Sequence, residues 1–229
     1  MKTGIVFHEL YLWHDTGNHA DYVPYGFPVE PFQHSENPDA KRRIKNLMEV
    51  SGLYEKLFQI TPRKATKDEI LLFHTEDHFE HIKSLNNSIT IDAGITTPTG
   101  IGSFDIALLS AGGVIEAIDH VIEEKVNNAY ALVRPPGHHA MPNKAMGFCI
   151  FGNAAIAGKH ALKNKDLHKI AFIDWDVHHG NGTQAAFYND SNALTISIHQ
   201  YRNFPTNSGL VSENGEEKGR SSYYLHHFI

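Results

Sequence analysis

Short apolar runs separated by longer amphipathic stretches organise this chain. Residues 4–7, 129–133, 170–174 and 194–198 are aliphatic and β-branched, and turn-forming or charged residues bound each run. Runs of that length and composition read as largely buried strands. The intervening segments carry a helical period. Asn37 is an N-cap residue and Pro38 suits a first helical position, so a helix is predicted over 39–50. Thr66-Lys67-Asp68-Glu69 is a capping box and predicts a second helix through Phe73. Phe104, Leu108, Ala111, Ile115, Ile118 and Ile122 recur at helical spacing up to Glu123-Glu124, with other faces also rather apolar, as suits a helix packed on a sheet. Residues 153–162 read as a further helix. Strands alternating with helices predict an α/β fold, a three-layer α/β/α arrangement around a mostly parallel sheet.

Composition narrows the setting. At 229 residues the chain suits one domain with a real core, and 41% hydrophobic with 20% charged residues excludes global disorder. The net charge of −6 is spread along the chain, and the short run Lys41, Arg42, Arg43 and Lys45 reads as a solvated helix face, so no nucleic-acid surface is expected. Cys149 is the single cysteine, which excludes an internal disulfide and a multi-cysteine zinc site; it reads as a packed residue. No uncharged apolar window reaches the roughly 18 residues a membrane span needs. The first residues are too short a stretch for a signal peptide, so a cytoplasmic setting is expected. No oligomer signature is legible. Polar, turn-rich stretches cover 11–37 and 201–220; the first is long enough to be a functional loop or disordered.

Among 17 histidines, clustering is the informative property. Arg134-Pro135-Pro136-Gly137-His138-His139 directly follows the 129–133 run. Its prolines and glycine stop the strand and fix a rigid loop. The tandem histidines then lie near the strand's carboxyl end, where open α/β sheets place ligands. Taken alone, the pair reads equally as a functional site or as solvated loop residues. Asp174-Trp175-Asp176-Val177-His178-His179-Gly180-Asn181-Gly182 leaves the 170–174 run, and alternation sets Asp174, Asp176 and His178 on one side. Two carboxylates at that spacing on a buried strand repel each other unless a positive charge lies between them. A metal ion meets that need, and one carboxylate oxygen with one imidazole nitrogen suits Zn²⁺ or a neighbouring divalent ion. Solvated acids at a strand end are the bland alternative.

Together these segments resemble the histone deacetylase family, acetylpolyamine amidohydrolases included, and look most like its class II and bacterial amidohydrolase branch. The resemblance takes in residues 4–7, Leu109-Ser110-Ala111-Gly112-Gly113, Met146-Gly147-Phe148-Cys149, and 194–199 before Phe204-Pro205. It implies an arginase/deacetylase-like architecture and zinc-dependent removal of acetyl from acetyl-lysine or an acetylpolyamine. On that resemblance, Asp176 and His178 bind zinc, while His138 and His139 activate its water and pass a proton to the leaving amine. Asp174 orients the first histidine, and Asn181 stands where some members carry an aspartate behind the second. Asparagine carries no charge, so the two histidines should differ in basicity. Phe148 and Phe204 are implied as walls of a narrow acyl-lysine channel. Asp174, Asp176, the His178 carbonyl, Ser197 and the Ile198 carbonyl are implied as a structural potassium site.

The match has gaps. The family's third zinc ligand, in a Gly-Phe-Asp segment, and its transition-state tyrosine have no counterpart, and Tyr223 and Tyr224 stand in a different context. Residues 1–220 are family-like and 221–229 read as a divergent tail. The expectation is therefore a single deacetylase-like domain over 1–229, missing C-terminal strands and exposing an apolar sheet edge. A catalytically impaired fragment is the second reading. A manganese ureohydrolase, which shares the fold, wants paired metals and more aspartates. His74, His78 and His81, among Glu76, Asp77 and Glu80, form a metal cluster on paper but read as a solvated helix face. His8, His14 and His19 read as bystanders.

Overall fold

The computed structural model describes residues 1–18, 30, 32–164, 167–220 and 223–228, with the backbone alone for Asn164 and 223–228. His19 and residues 20–29 and 31 of the polar N-terminal stretch lie outside the described residues. In chain order the elements are β1 (Thr3–Val6), α1 (Asp39–Val50), β2 (Phe58–Ile60), α2 (Lys67–Ile70), α3 (Glu76–Ser84), β3 (Ile91–Asp92), β4 (Gly94–Ile95), β5 (Pro98–Thr99), α4 (Ser103–Ile122), β6 (Asn128–Ala131), β7 (Ala145–Met146), α5 (Asn153–Asn164), β8 (Ile170–Asp174), α6 (Asn181–Phe187), β9 (Ala193–Gln200) and β10 (Tyr223–Phe228). Helix α1 has its anticipated bounds, but Pro38 rather than Asn37 is its N-cap; the Asn37 Oδ1 still accepts from the Asp39 amide at 2.9 Å, filling one of the unpaired donors of the first turn. Helix α2 carries the full Thr66–Glu69 capping box but ends at Ile70, short of Phe73. The Phe73 and His74 amides both donate to the Ile70 carbonyl, closing the chain into a turn that buries those two side chains.

Two three-stranded sheets, ordered β2–β1–β6 and β10–β9–β8, are parallel throughout, and β4 and β7 form a further parallel pair. In the first, alternation along β1 sends Ile5 towards Met48 of α1 and Leu132, and Val6 towards Ile60, Ala117 of α4 and Val126. This half is therefore layered helix, sheet, helix. The largest core lies beside it, where Phe104, Leu108, Ala111 and Ile115 of α4 meet Ile156 of α5 and Phe79 and Ile82 of α3. Each such side chain contributes about 1.5–3 kcal/mol by leaving water.

The second sheet is covered differently. Ile170, Phe172 and Asp174 of β8 register with Ala193, Thr195 and Ser197 of β9, and Phe172 stacks on Phe187 of α6 at 4.8 Å. The opposite face pairs Ala171 with Leu194 and Ile173 with Ile196, and no helix among the described residues covers it; Ile173 is 59% exposed. The α/β class stands, but the three layers are complete only over the first sheet. Strand β8 accordingly alternates between half-buried and exposed positions, and β6, at the edge of the first sheet, does the same, where largely buried strands were anticipated. Residues 223–228, in the segment set apart as a tail, run parallel to β9 as β10.

Candidate active site

The loop after β6 starts at a fully buried arginine. The Arg134 guanidinium donates through Nε to both Glu36 carboxylate oxygens at 2.9 and 2.8 Å, and to the carbonyls of His14 at 2.6 Å and Glu36 at 3.1 Å. A buried charge is tolerable only when paired and fully hydrogen-bonded. Here the pairing also ties the polar N-terminal stretch to the entrance of the His138-His139 loop.

That loop is pinned from the other side by α6, whose Gly182 and Thr183 amides donate to the His138 carbonyl at 2.8 and 3.3 Å. A Cβ on Gly182 would stand 2.2 Å from the Ala140 carbonyl oxygen, so only glycine permits this approach. The two imidazoles lie 3.9 Å apart between ring centres. Each has a different partner: the His138 Nδ1 meets the Asp174 Oδ2 at 2.9 Å, and the His139 Nδ1 meets the Asn181 Oδ1 at 2.7 Å. The Asn181 amide nitrogen donates to the His139 carbonyl at 3.3 Å and to the Met141 Sδ at 3.0 Å, so its oxygen is the acceptor. The neutral His139 ring is thus protonated at Nδ1 and keeps a lone pair on Nε2.

Charge follows from these partners. Burial pulls the His138 pKa down, but the hydrogen bond and charge of Asp174 outweigh it and leave His138 raised. Burial pushes the Asp174 carboxyl up, and the His138 contact again prevails, leaving it lowered. Burial and the neighbouring His138 hold His139 down at about 3, against a weaker upward pull from Asn181. One imidazole favours the proton and its neighbour favours the lone pair.

His138, His139, Asp176, His178, Phe148 and Phe204 line one cavity of about 270 Å³. The Phe204 ring stands edge-on to His139 at 4.9 Å, and its carbonyl accepts from the His179 amide at 3.2 Å. Phe148 occupies the left-handed region at φ 68°, a costly conformation for a bulky residue, and its neighbour Gly147 lies at φ 54°. A Cβ on Gly147 would meet the His139 ring at 2.5 Å and the Phe204 ring at 2.7 Å, so this glycine lets the two rings close over the backbone.

The Asp176 Oδ1 lies 3.0 Å from the His178 Nδ1, and both side chains are partly exposed. A carboxylate oxygen and an imidazole nitrogen fit zinc as two of its donors. Among the described residues, no group of three histidine, cysteine or acidic side chains converges to complete a set. Asp174 and Ser197 are register partners on adjacent strands, and the Asp176 amide donates to the Asp174 Oδ1 at 3.1 Å. The Ser197 hydroxyl bonds the His199 Nδ1 at 2.9 Å, and the Ile198 side chain projects from the opposite strand face.

His74 and His78 are neither solvated, as the sequence led us to expect, nor a metal cluster; both are buried and bonded to backbone, whereas His81 is exposed. Cys149 is fully buried, and burial drives its thiol pKa well up. Sequence reasoning missed the Arg134–Glu36 pair and a chain running from the His179 Nε2 through Gln184 to the Glu213 carboxylate at 3.0 and 2.7 Å. Glu36 and Glu213 lie 98 and 29 positions from Arg134 and Gln184, too far for local spacing to display either contact.

The histone deacetylase domain family matches residues 34–226. A histone deacetylase-like amidohydrolase of Pseudomonas aeruginosa is 42% identical over 96% of this chain and 58% of its own length. A probable deacetylase of Archaeoglobus fulgidus is 39% identical over 96% of this chain and 57% of its own length. The crystal structure of the HDA15 HD domain superposes with a TM-score of 0.88 at 32% identity, covering 98% of this chain and 62% of that one. The chain therefore spans somewhat under two thirds of the length of these three relatives.

Proposed function

Because the chain belongs to the histone deacetylase domain family, we propose that its cavity is the site of a zinc-dependent amidohydrolase that removes acetyl from acetyl-lysine or an acetylpolyamine. The observation that carries this reading is the pair of unequal imidazoles sharing one cavity with Asp176 and His178.

An amide is a poor electrophile and its amine a poor leaving group, so hydrolysis needs a base, an acid and a polarised carbonyl. His139 has the lone pair to take a proton from water at Nε2. His138, whose pKa the Asp174 contact raises, takes a proton more readily than His139 and, when protonated, would stabilise the anion that forms on the reacting amide. The proton gained by His139 is then available to the departing amine. Phe148 and Phe204 give the cavity the apolar walls that suit an alkyl stem and exclude water. Asp176 and His178 would hold the zinc, which when bound supplies Lewis acidity and a water pKa of roughly 7. Asp174 and Ser197 would contribute to a potassium site beneath the same loop.

A second reading, a catalytically impaired fragment, is favoured by the donor pair's lacking a third described ligand. Hydrolysis of an acetyl-lysine peptide and an acetylated polyamine by the zinc-supplemented chain separates the two. We expect turnover that falls by about 10²–10⁴-fold in His139→Ala. A folded, zinc-loaded chain that hydrolyses neither substrate would favour the impaired reading.

A further inference from the structure

The histidines of the 74–81 segment were left without a role, yet one of them reaches both ends of the loop that carries Phe148. The His74 Nδ1 lies 3.0 Å from the Met141 carbonyl oxygen and 3.3 Å from that of Pro142. Its Nε2 lies 2.8 Å from the Gly152 amide nitrogen. Carbonyls can only accept and an amide can only donate, so the tautomer is fixed: Nδ1 carries the proton and Nε2 the lone pair. Met141 and Gly152 bracket β7, Gly147, Phe148 and Cys149. One buried ring therefore closes the base of the segment whose tip forms a cavity wall.

Several features show why that segment needs an anchor. Phe148 and Gly147 both hold positive φ, and their amides donate outward to the Thr96 and Ile95 carbonyls at 3.0 and 2.9 Å. A strained conformation persists only when its surroundings over-determine it. Neighbours of His74 reinforce the same hold: the Thr75 amide donates to the Pro142 carbonyl at 2.8 Å, and the His78 Nε2 meets the Ile150 carbonyl at 2.9 Å. His74 also packs between Phe73 and Phe151 at 4.6 and 5.4 Å, which fixes its plane.

We propose that His74 is a positioning residue for the cavity, its imidazole clamping Met141 to Gly152 and thereby holding the Phe148 wall in place. The role rests on the reading of Phe148 as a channel wall, but the clamp itself can be tested without turnover.

The test is residue-resolved amide hydrogen exchange on the full 229-residue chain, comparing the parent with His74→Gln, His74→Asn and His74→Leu. Glutamine keeps a donor and an acceptor, asparagine reaches one end only, and leucine keeps volume without either bond. In the leucine variant, exchange at Met146, Gly147, Phe148, Cys149 and Gly152 should rise on the order of tenfold while α4 amides stay unchanged. Asparagine should give a smaller rise and glutamine should return the segment towards the parent. If the leucine variant does not fold, the asparagine and glutamine variants still decide the matter by their order. Unchanged exchange across the segment, or an equal rise in α4, would overturn the clamp and leave His74 a packing residue. Lack of deacetylase activity with the clamp intact would count against the proposed function alone.

Discussion

An amide oxygen stands behind His139 and a carboxylate behind His138, and this difference acts together with burial to leave the first ring lowered and the second raised. Asn181→Asp would bring a negative charge to about the same distance, so the His139 pKa should rise from its depressed value. Titration of the ring protons by NMR on metal-free protein reads this directly; an unmoved value would mean that burial and His138 alone set its basicity. At Arg134, removing one partner is the damaging change. Glu36→Leu should cost about 3–5 kcal/mol in urea unfolding, whereas adding Arg134→Met should recover part of the loss, because no uncompensated charge remains. A double variant no better than the single would assign the cost to lost backbone contacts instead. The site residues that were legible share one property: most sit at a strand end or in the stretch that follows it, so local spacing displays them. His74 was misread because its partners are backbone atoms of Met141 and Gly152, far along the chain, and a backbone amide or carbonyl has no residue code.

At the scale of elements, the short helix α6 acts through its first turn, which delivers two amides to the His138 carbonyl. Gly182→Ala would drive a methyl into the Ala140 carbonyl, and neither side is a flexible side-chain end. We expect a loss of at least about 1 kcal/mol in stability, with the His138 and His139 resonances shifted; unaltered resonances would mean that the two backbones separate without moving the rings. The apolar runs placed β1, β6, β8 and β9 correctly, the Asn37-Pro38 start placed α1, and the helical period placed α4. The period could not show how much of each strand a neighbour covers, so β8 was expected to be buried when its Ala171 and Ile173 face outward. Helix α2 began where its capping box said but stopped within one turn, since burial of Phe73 and His74 required the chain to bend.

Across the whole molecule, several buried histidines share one sign of linkage. His74 and His139 are held at about 3 and His179 at about 4, chiefly by burial, and His14 is likewise lowered. Each is neutral when folded and titrates near 6.5 when unfolded, so its contribution is fully present above about pH 6.5 and is lost as the pH falls towards the folded value. His138 opposes them, with its raised pKa stabilising the fold at low pH and losing that effect as the pH rises. The lowered group outnumbers it. Urea midpoints of metal-free protein should therefore drop steadily from pH 6.5 to 4.5, and a flat profile would show that these rings are not buried in solution. The sheet β2–β1–β6 has a different consequence, for a chain emerging from a ribosome. β1 is made first, but the Lys2 amide meets the Asn127 side chain 125 positions later. At roughly 5–20 residues per second, β1 waits about 6–25 s for its second neighbour. β2 emerges much sooner, so one edge of β1 can be paired early while the other stays open to wrong partners until α4 and β6 arrive. Slow stretches of translation between α4 and β6 would lengthen that exposure, and a chaperone that shields extended apolar segments would have its greatest effect there.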